Sequence, residues 1–571
     1  MVVERLERAL IMGDAVEGAA SAAPAARKRG PPGARVEPAG AVSAAQLMCS
    51  PPLLAAASGG LLLLTAPPIS LTPLAFVALT PLLLAVHAAH PPRAAILGWT
   101  AGAIFHLGLV PWLLPTIVRL QHGSIALATA AFAAYVAYHS LQFALAMAGA
   151  RLVGGGSVAA TTVAWLLAEW AFPKVLPWSL GAVLGPHPDL RQCADLAGGL
   201  GLSALVVAVN ALLAAALRAW PGERRRAGAV LAVAGVLLAS ASCYGRLPSA
   251  PGSGGLRIGV VQAGDVSPGD PDPARAAAAT LRSYARASVR LPRPLDLVVW
   301  PEQVVRAALR HSDEPRDALE RTARAVAAPL ILGALDAGPG GERSAAYLFA
   351  PRLAAVRHKA TLVPFGEYVP GAEWFAFLRR WHLASPITAG AEPRPIRLGA
   401  ARLATAICYE AIRPAAYNAA VLSGAEVLLN LSDDSWFDSP WAAAQHLEMT
   451  RLRAVETRRW LVRASHSGMS AVIDARGEVR ARLGFGRAGA LAVEVERRRG
   501  IATYVRYGDA PAVAVAMVVV GSRVLAAALR ARRRWHAATG RDVRATPEFR
   551  RDRTAAPRSA RRRRGAPALR R

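Results

Sequence analysis

The 571-residue sequence predicts a multi-domain membrane protein, with about eight transmembrane α-helices and a layered α/β domain held on the outer face between the seventh and the eighth. Three observations predict it. Hydrophobic residues make up 53% of the chain, high for a soluble protein of this length. They concentrate in residues 48–245 and again near 511–529, in runs approaching the ~20 residues that a bilayer-spanning helix needs. Between those regions short β-branched runs alternate with helical ones, the order of an α/β domain.

Residues 1–47 are rich in Ala, Gly, Pro and Arg and lack a periodic apolar face, so they read as a disordered extension. The apolar run begins too late for a signal peptide, and Met48, directly before it, is a candidate start. The membrane domain, 48–245, divides into candidate spans at 49–65, 72–88, 94–117, 123–149, 157–173, 196–217 and 227–244. An eighth span, 510–529 within a segment 508–530, follows the outer domain. Basic residues set the orientation. Arg27, Lys28, Arg29 and Arg35 precede the first span, Arg93 and Arg151 follow the second and fourth, and Arg218 with Arg224 to Arg226 follow the sixth. The alternate connections hold only Arg119, Lys174 and Arg191, so the first set faces the cytoplasm. That parity puts the domain at 254–500 outside and returns the Arg-rich tail, 531–571, to the cytoplasm.

In the outer domain, Arg257–Gln262, Leu295–Trp300, Pro329–Gly333, Ala345–Phe349, Leu403–Ile407, Val427–Leu431, Leu461–Ala464 and Ser470–Ile473 are short, apolar runs expected as strands. Helical patterns lie at 272–290, 313–327 and 441–459. The net charge of +29 would ordinarily raise nucleic acid as a partner. Here the excess sits in the tail and beside apolar segments, a pattern that favours anionic lipid headgroups and argues against nucleic acid. Cys49, Cys193, Cys243 and Cys408 show neither CxxC nor Cys/His ligand spacing, so no metal site, disulfide framework or cofactor is indicated. The first three read as small buried hydrophobes.

Chemistry gathers in the outer domain. Cys408, where Leu403–Ile407 runs into Tyr409-Glu410, is its only thiol. Trp300-Pro301-Glu302 ends another strand, because proline cannot donate to the next rung of a ladder. Lys359 stands out because the chain holds three lysines, Lys28, Lys174 and Lys359, against 64 arginines, and a retained lysine suggests a need for a compact, titratable ammonium. Each residue has a bland reading: a buried structural thiol, a surface carboxylate, a solvated lysine. Together they are the parts of a nucleophilic acyl-transfer site, with Glu302 as general base, Cys408 as nucleophile and Lys359 stabilising the oxyanion.

Trp-Pro-Glu302, Lys359 followed by Leu362-Val-Pro-Phe-Gly-Glu367-Tyr-Val-Pro370, Ile407-Cys-Tyr-Glu410, and Asn430-Leu-Ser-Asp-Asp-Ser-Trp-Phe437 with Gln445-His446 resemble the nitrilase, or carbon–nitrogen hydrolase, superfamily. With the flanking spans, residues 48–530 more closely resemble its membrane-bound branch, the bacterial apolipoprotein N-acyltransferases. The resemblance implies a nitrilase-like αββα sandwich, a Glu302–Lys359–Cys408 triad and location in the bacterial inner membrane with the catalytic domain on its periplasmic face. It implies a phospholipid acyl donor, a thioester on Cys408, and transfer to the N-terminal α-amine of diacylglyceryl-cysteine in apolipoproteins. Glu367, Tyr409 and Glu410 match residues that orient the lysine or the substrate. In one departure, Val261–Asp270 lacks the family's tryptophan, and the aromatic stretch Glu373–Trp381 is the candidate replacement. Two other readings stay open on the residues: a membrane-anchored amidase using water as the second acceptor, and a non-catalytic transporter or scaffold. The latter fits poorly with spans whose main ionisable residue is Glu169.

Overall fold

The computed structural model describes residues 50–538, except 121–123, 265–271, 339, 373, 375–386 and 392–393. The expected extension at 1–47, the tail beyond 538 and most of the aromatic stretch 373–381 lie outside the described residues; of that stretch, Trp374 is described and is 79% exposed.

The N-terminal region is helical: α1 Pro51–Thr65, a 3-10 turn Thr72–Phe76, α2 Thr80–Val86, α3 Pro91–Leu109, α4 Leu113–Leu120, α5 Ile125–Gly154, α6 Val158–Ala171, α7 Ala194–Ala219 and α8 Arg224–Arg246. Each expected apolar segment is helical over most of its length, but their lengths divide them. Four helices, Ile125–Gly154, Leu190–Ala219, Arg224–Arg246 and the later Ala510–Trp535, are long and apolar enough to cross a membrane; α3 with α4, bent by 65°, makes a fifth if counted as one span. Proline explains the shortness of α1 and α2 and the break between α3 and α4. Pro51, Pro81 and Pro91 open α1, α2 and α3, Pro67-Pro68 follows α1, and Pro111 sits at the α3–α4 bend. Buried polar side chains lock this region. Asn210 on α7 accepts from Leu79 N at 2.9 Å and donates to Ala75 O at 2.7 Å. Glu169, the ionisable exception, accepts from Trp165 Nε1 at 2.9 Å, Ser203 Oγ at 2.7 Å and Leu180 N at 3.3 Å, and so joins α6, α7 and the loop between them. Of the cysteines expected to be buried, Cys193 is half-buried and Cys243 is exposed on α8.

Beyond α8 the chain forms β1 Gly255–Gln262, α9 Pro273–Val289, β2 Leu297–Val299, β3 Val305–Ala308, α10 Asp313–Val326, β4 Leu330–Gly338, β5 Gly341–Phe349 and β6 Leu353–His358. Then come β7 Ile396–Leu398, β8 Ala401–Ile407, α11 Pro414–Leu422, β9 Val427–Ser432, α12 Pro440–Thr457, β10 Leu461–Ser465, β11 Ala471–Ile473, β12 Val479–Arg482, β13 Gly489–Glu496, α13 Thr503–Tyr507 and α14 Ala510–Ala538. Two sheets result, one ordered β13-β1-β2-β4-β5-β6 with β3 on β4, the other β12-β11-β10-β9-β8-β7. Period-2 alternation stacks them. Ile258, Val260, Leu297, Val299 and Ile331 of the first sheet meet Leu403, Ile407, Leu429, Leu431 and Val462 of the second in one core. The intervening residues face outward. Val298, Leu330 and Tyr347 pack with Tyr284 of α9 and Leu319 of α10, while Ala404, Leu428 and Leu461 pack with Tyr417 of α11 and Leu447 of α12. Both faces of each sheet are therefore covered, which is why the central strands read as continuous apolar runs. The architecture is an αββα sandwich.

The helical region packs on one outer surface of this sandwich. Ala442, Leu452 and Val455 of α12 share a core with α3, α5 and α7. Gln445 donates to Leu109 O at 2.6 Å and accepts from Trp112 Nε1 at 3.0 Å, and the Trp112 and Phe437 rings lie 4.8 Å apart.

Candidate active site

Glu302, Lys359 and Cys408 each sit just beyond a strand end on the same side of the sandwich. After β2, Trp300 N still donates to Ile331 O at 2.8 Å, and Gly333 N donates to Pro301 O at 2.9 Å. A Cβ on Gly333 would lie 2.5 Å from Glu302 Cα, so only glycine lets β4 run this close beneath the glutamate. Gln303 then takes φ +54° and turns the chain away. Lys359 follows β6, held by its N–H on Ser344 O at 2.8 Å and its own carbonyl on Gly390 N at 2.7 Å. Cys408 follows β8 and opens the 3-10 turn Cys408–Ile412. Its φ of +48° is rare for a residue with a side chain, and such backbones cluster at functional turns.

The lysine is enclosed, 1% exposed, and its ammonium donates to Glu367 Oε1 at 2.7 Å and Glu302 Oε1 at 3.3 Å. Glu367 is fixed in turn, its Oε2 accepting from Val363 N at 2.8 Å. Ser344 Oγ also donates to Glu302 Oε1, at 3.2 Å. Burial pushes the Glu302 carboxyl up to about 7; Lys359 opposes that rise, and Glu367 and Asp433 add to it. Burial works against the Lys359 charge, but the two glutamates outweigh it and hold the ammonium firmly protonated. Burial pushes the Cys408 thiol up, Glu302 reinforces this, and Lys359 pulls the other way without prevailing. The resting site is a neutral thiol, a charged ammonium and a carboxyl poised near neutrality.

Glu410 is fully buried. It pairs with Arg357 of β6, with one guanidinium bond of 3.0 Å. It also accepts from Ala360 N at 2.7 Å, Thr361 N at 3.0 Å and Ile407 N at 2.8 Å. Burial opposes its charge, but Arg357 and these N–H groups hold the carboxyl below the usual carboxylate range. One side chain thus ties the backbone after Lys359 to the backbone before Cys408. Tyr409 points the other way, its hydroxyl donating to Val175 O at 2.7 Å and accepting from Arg413 at 3.3 Å.

Cys408 and Tyr409 form part of the wall of a cavity between the sandwich and the helical region, about 680 Å³ of empty space including its mouth. Leu109, Val110, Leu176, Ile412 and Met449 make much of its lining apolar, with Trp112, Lys174 and His446 among the polar-tipped side chains.

Two contributors were not legible as site residues. Ser344 is an ordinary serine in an apolar strand and carries no sequence signal. Arg463 does carry one, a charge inside the apolar run Leu461–Ala464, which demands a buried partner. That partner is Asp434, at 2.6 Å, which also bonds His446 Nδ1 at 2.9 Å. Burial opposes the Asp434 charge, yet Arg463 and His446 hold it well below the usual carboxylate range. His446 lines the cavity, with the Cys408 backbone beside its ring.

The family model for the apolipoprotein N-acyltransferase N-terminal domain matches residues 58–212, and that for carbon–nitrogen hydrolase matches residues 257–504. An apolipoprotein N-acyltransferase from Geobacter metallireducens is 30% identical over 486 residues, covering 81% of this chain and 92% of its own. One from Bordetella bronchiseptica is 32% identical over 524 residues, covering 82% and 93%. A solved carbon–nitrogen hydrolase from Helicobacter pylori G27 aligns at 18% identity and TM-score 0.34, covering 42% of this chain and 89% of its own. The chain belongs to the apolipoprotein N-acyltransferase family, acyltransferases of the carbon–nitrogen hydrolase superfamily.

Proposed function

We propose that this protein moves a fatty acyl group from a phospholipid to the α-amine of a diacylglyceryl-cysteine at an apolipoprotein N-terminus, in two steps through Cys408. Glu302 takes the thiol proton, and the thiolate attacks an acyl ester carbonyl. The tetrahedral oxyanion is held by the Lys359 ammonium and the Tyr409 backbone N–H. Collapse breaks the ester C–O bond, the glycerol oxygen takes the proton from Glu302, and a lysophospholipid leaves a thioester on Cys408. The α-amine then attacks the thioester carbonyl, loses its proton to Glu302, and expels the thiolate, which recovers that proton. Glu367 fixes the ammonium and Glu410 fixes the two backbones, so neither needs to touch substrate.

The observation that carries this reading is the thiol's placement on the wall of a largely apolar cavity shared with the helical region. An acyl chain from a bilayer can reach a nucleophile placed there. The same reading assigns residues 48–245 and 508–530 to the membrane with eight passes, the shorter helices crossing in company, 254–500 to catalysis on the periplasmic face, and 1–47 and 531–571 to cytoplasmic ends. A membrane-impermeant thiol reagent should label Asp313→Cys in intact spheroplasts; labelling only after lysis would reverse the orientation. For the second step, the acylated protein is mixed with a diacylglyceryl-peptide. The reading expects an N-acylated peptide, whereas free fatty acid with an unmodified amine would make the protein an amidase-like hydrolase.

A further inference from the structure

Lys174 is one of the chain's three lysines and lines the same cavity as Cys408. It lies on the loop between α6 and the turn at Leu180, whose backbone is fixed on both sides. Tyr138 Oη donates to Pro173 O at 2.7 Å, Val175 N donates to His139 Nε2 at 3.3 Å, and Tyr409 Oη donates to Val175 O at 2.7 Å. Lys174 and Cys408 are therefore each one residue from the two ends of a single hydrogen bond. Among the described residues no hydrogen bond or ion pair reaches the Lys174 ammonium, although burial lowers its pKa. Glu169 and Asp509 act on it only from a distance, and both have partners of their own: Glu169 holds Trp165 and Ser203, Asp509 holds Tyr504. A second cation, Arg413, stacks 5.9 Å over the Tyr409 ring. A partly desolvated ammonium with no carboxylate in hydrogen-bond contact, on the wall of the cavity that Cys408 also lines, is an anion subsite in search of its anion.

The two substrates of the acyl-transfer reading, on which this inference rests, differ in that respect. The lipoprotein acceptor presents diacylglyceryl-cysteine, which has no phosphate. The donor carries its ester and its phosphodiester on one glycerol, so an ester carbonyl at Cys408 brings the phosphate within a few bonds. We propose that Lys174 binds the phosphodiester of the acyl-donor phospholipid, with Arg413 at the rim, and so acts in the acylation half-reaction alone.

The test measures thioester formation on Cys408 by intact mass, with phosphatidylglycerol and with diacylglycerol of the same chains as donors. Lys174→Gln should raise the phospholipid concentration for half-saturation about tenfold or more, as expected for losing a charge-assisted hydrogen bond. Diacylglycerol should be used at the wild-type rate, Lys174→Arg should restore most of the phospholipid affinity, and deacylation by a diacylglyceryl-peptide should be unchanged. Inorganic phosphate should compete with phosphatidylglycerol in the wild type and not in Lys174→Gln. An unchanged phospholipid dependence, or equal loss with both donors, would overturn the proposal. So would inorganic phosphate that binds at Lys174 without affecting phospholipid use. Wild-type protein forming no thioester from either donor would instead remove the acyl-transfer reading, and this inference with it.

Discussion

At Cys408 the chemistry rests on a proton held by the wrong partner. Burial keeps the thiol protonated, and the same burial raises Glu302 to about 7, so in the proposed mechanism this carboxylate accepts the proton near neutral pH. The sign follows directly. The base works when ionised, so the rate of thioester formation should fall with unit slope as pH drops below about 7 and reach a plateau above it. Stopped-flow acylation between pH 5 and 9 reads this, and a flat profile would remove Glu302 as base. Lys359 is held at two points and is 1% exposed, with no room for a planar fork. Lys359→Arg should therefore cost about 10²-fold in acylation rate, the scale of losing an oxyanion donor. Near-wild-type turnover would make the rarity of lysine accidental. That rarity made Lys359 legible before any geometry was known. Lys174 was equally rare, but its significance needed the fold, because the residues that fix its neighbour Val175 beside Tyr409 come from 36 and 234 residues away in the chain.

Among the elements, the site depends on Glu410 joining the segment after β6 to the turn after β8. Glu410→Gln would leave the Arg357 guanidinium buried and half-paired, at a cost of ~3 kcal/mol. The expected readouts are a lower thermal midpoint and a lower acylation rate. Unchanged stability would show that the clamp is redundant. The same contrast explains which strands could be read. Those expected from sequence, now β1, β2, β4, β5, β8, β9, β10 and β11, lie mostly inside the sheets and are apolar on both faces. The missed ones, β3, β6, β7, β12 and β13, lie at or near sheet edges or off the main path. β12, Val-Arg-Ala-Arg, and β13, ending Glu-Val-Glu, keep one face exposed and lose the continuous apolar signal. Helix existence was legible in the N-terminal region and helix length was not, because prolines at 51, 67, 68, 81, 91 and 111 divide apolar runs that hydropathy alone joins.

Over the whole molecule, two parts that read as separate in sequence share one cavity. α12 and the loop before it carry Phe437, Gln445 and His446 from the sandwich to Leu109, Trp112 and Leu176 of the helical region. No periodicity announces such a junction, since Gln445 and Trp112 are 333 residues apart. In the proposed acyl transfer it gives the many apolar helices a purpose beyond anchoring, because Cys408 lines the cavity they share. The central claim is that Cys408 carries the acyl group. The most direct measurement incubates the purified full-length protein with an isotopically labelled phospholipid and looks for a hydroxylamine-sensitive acyl adduct by intact mass. Wild-type protein should gain one acyl chain and Cys408→Ala none. An equal adduct on both proteins, or none on the wild type, would contradict the account.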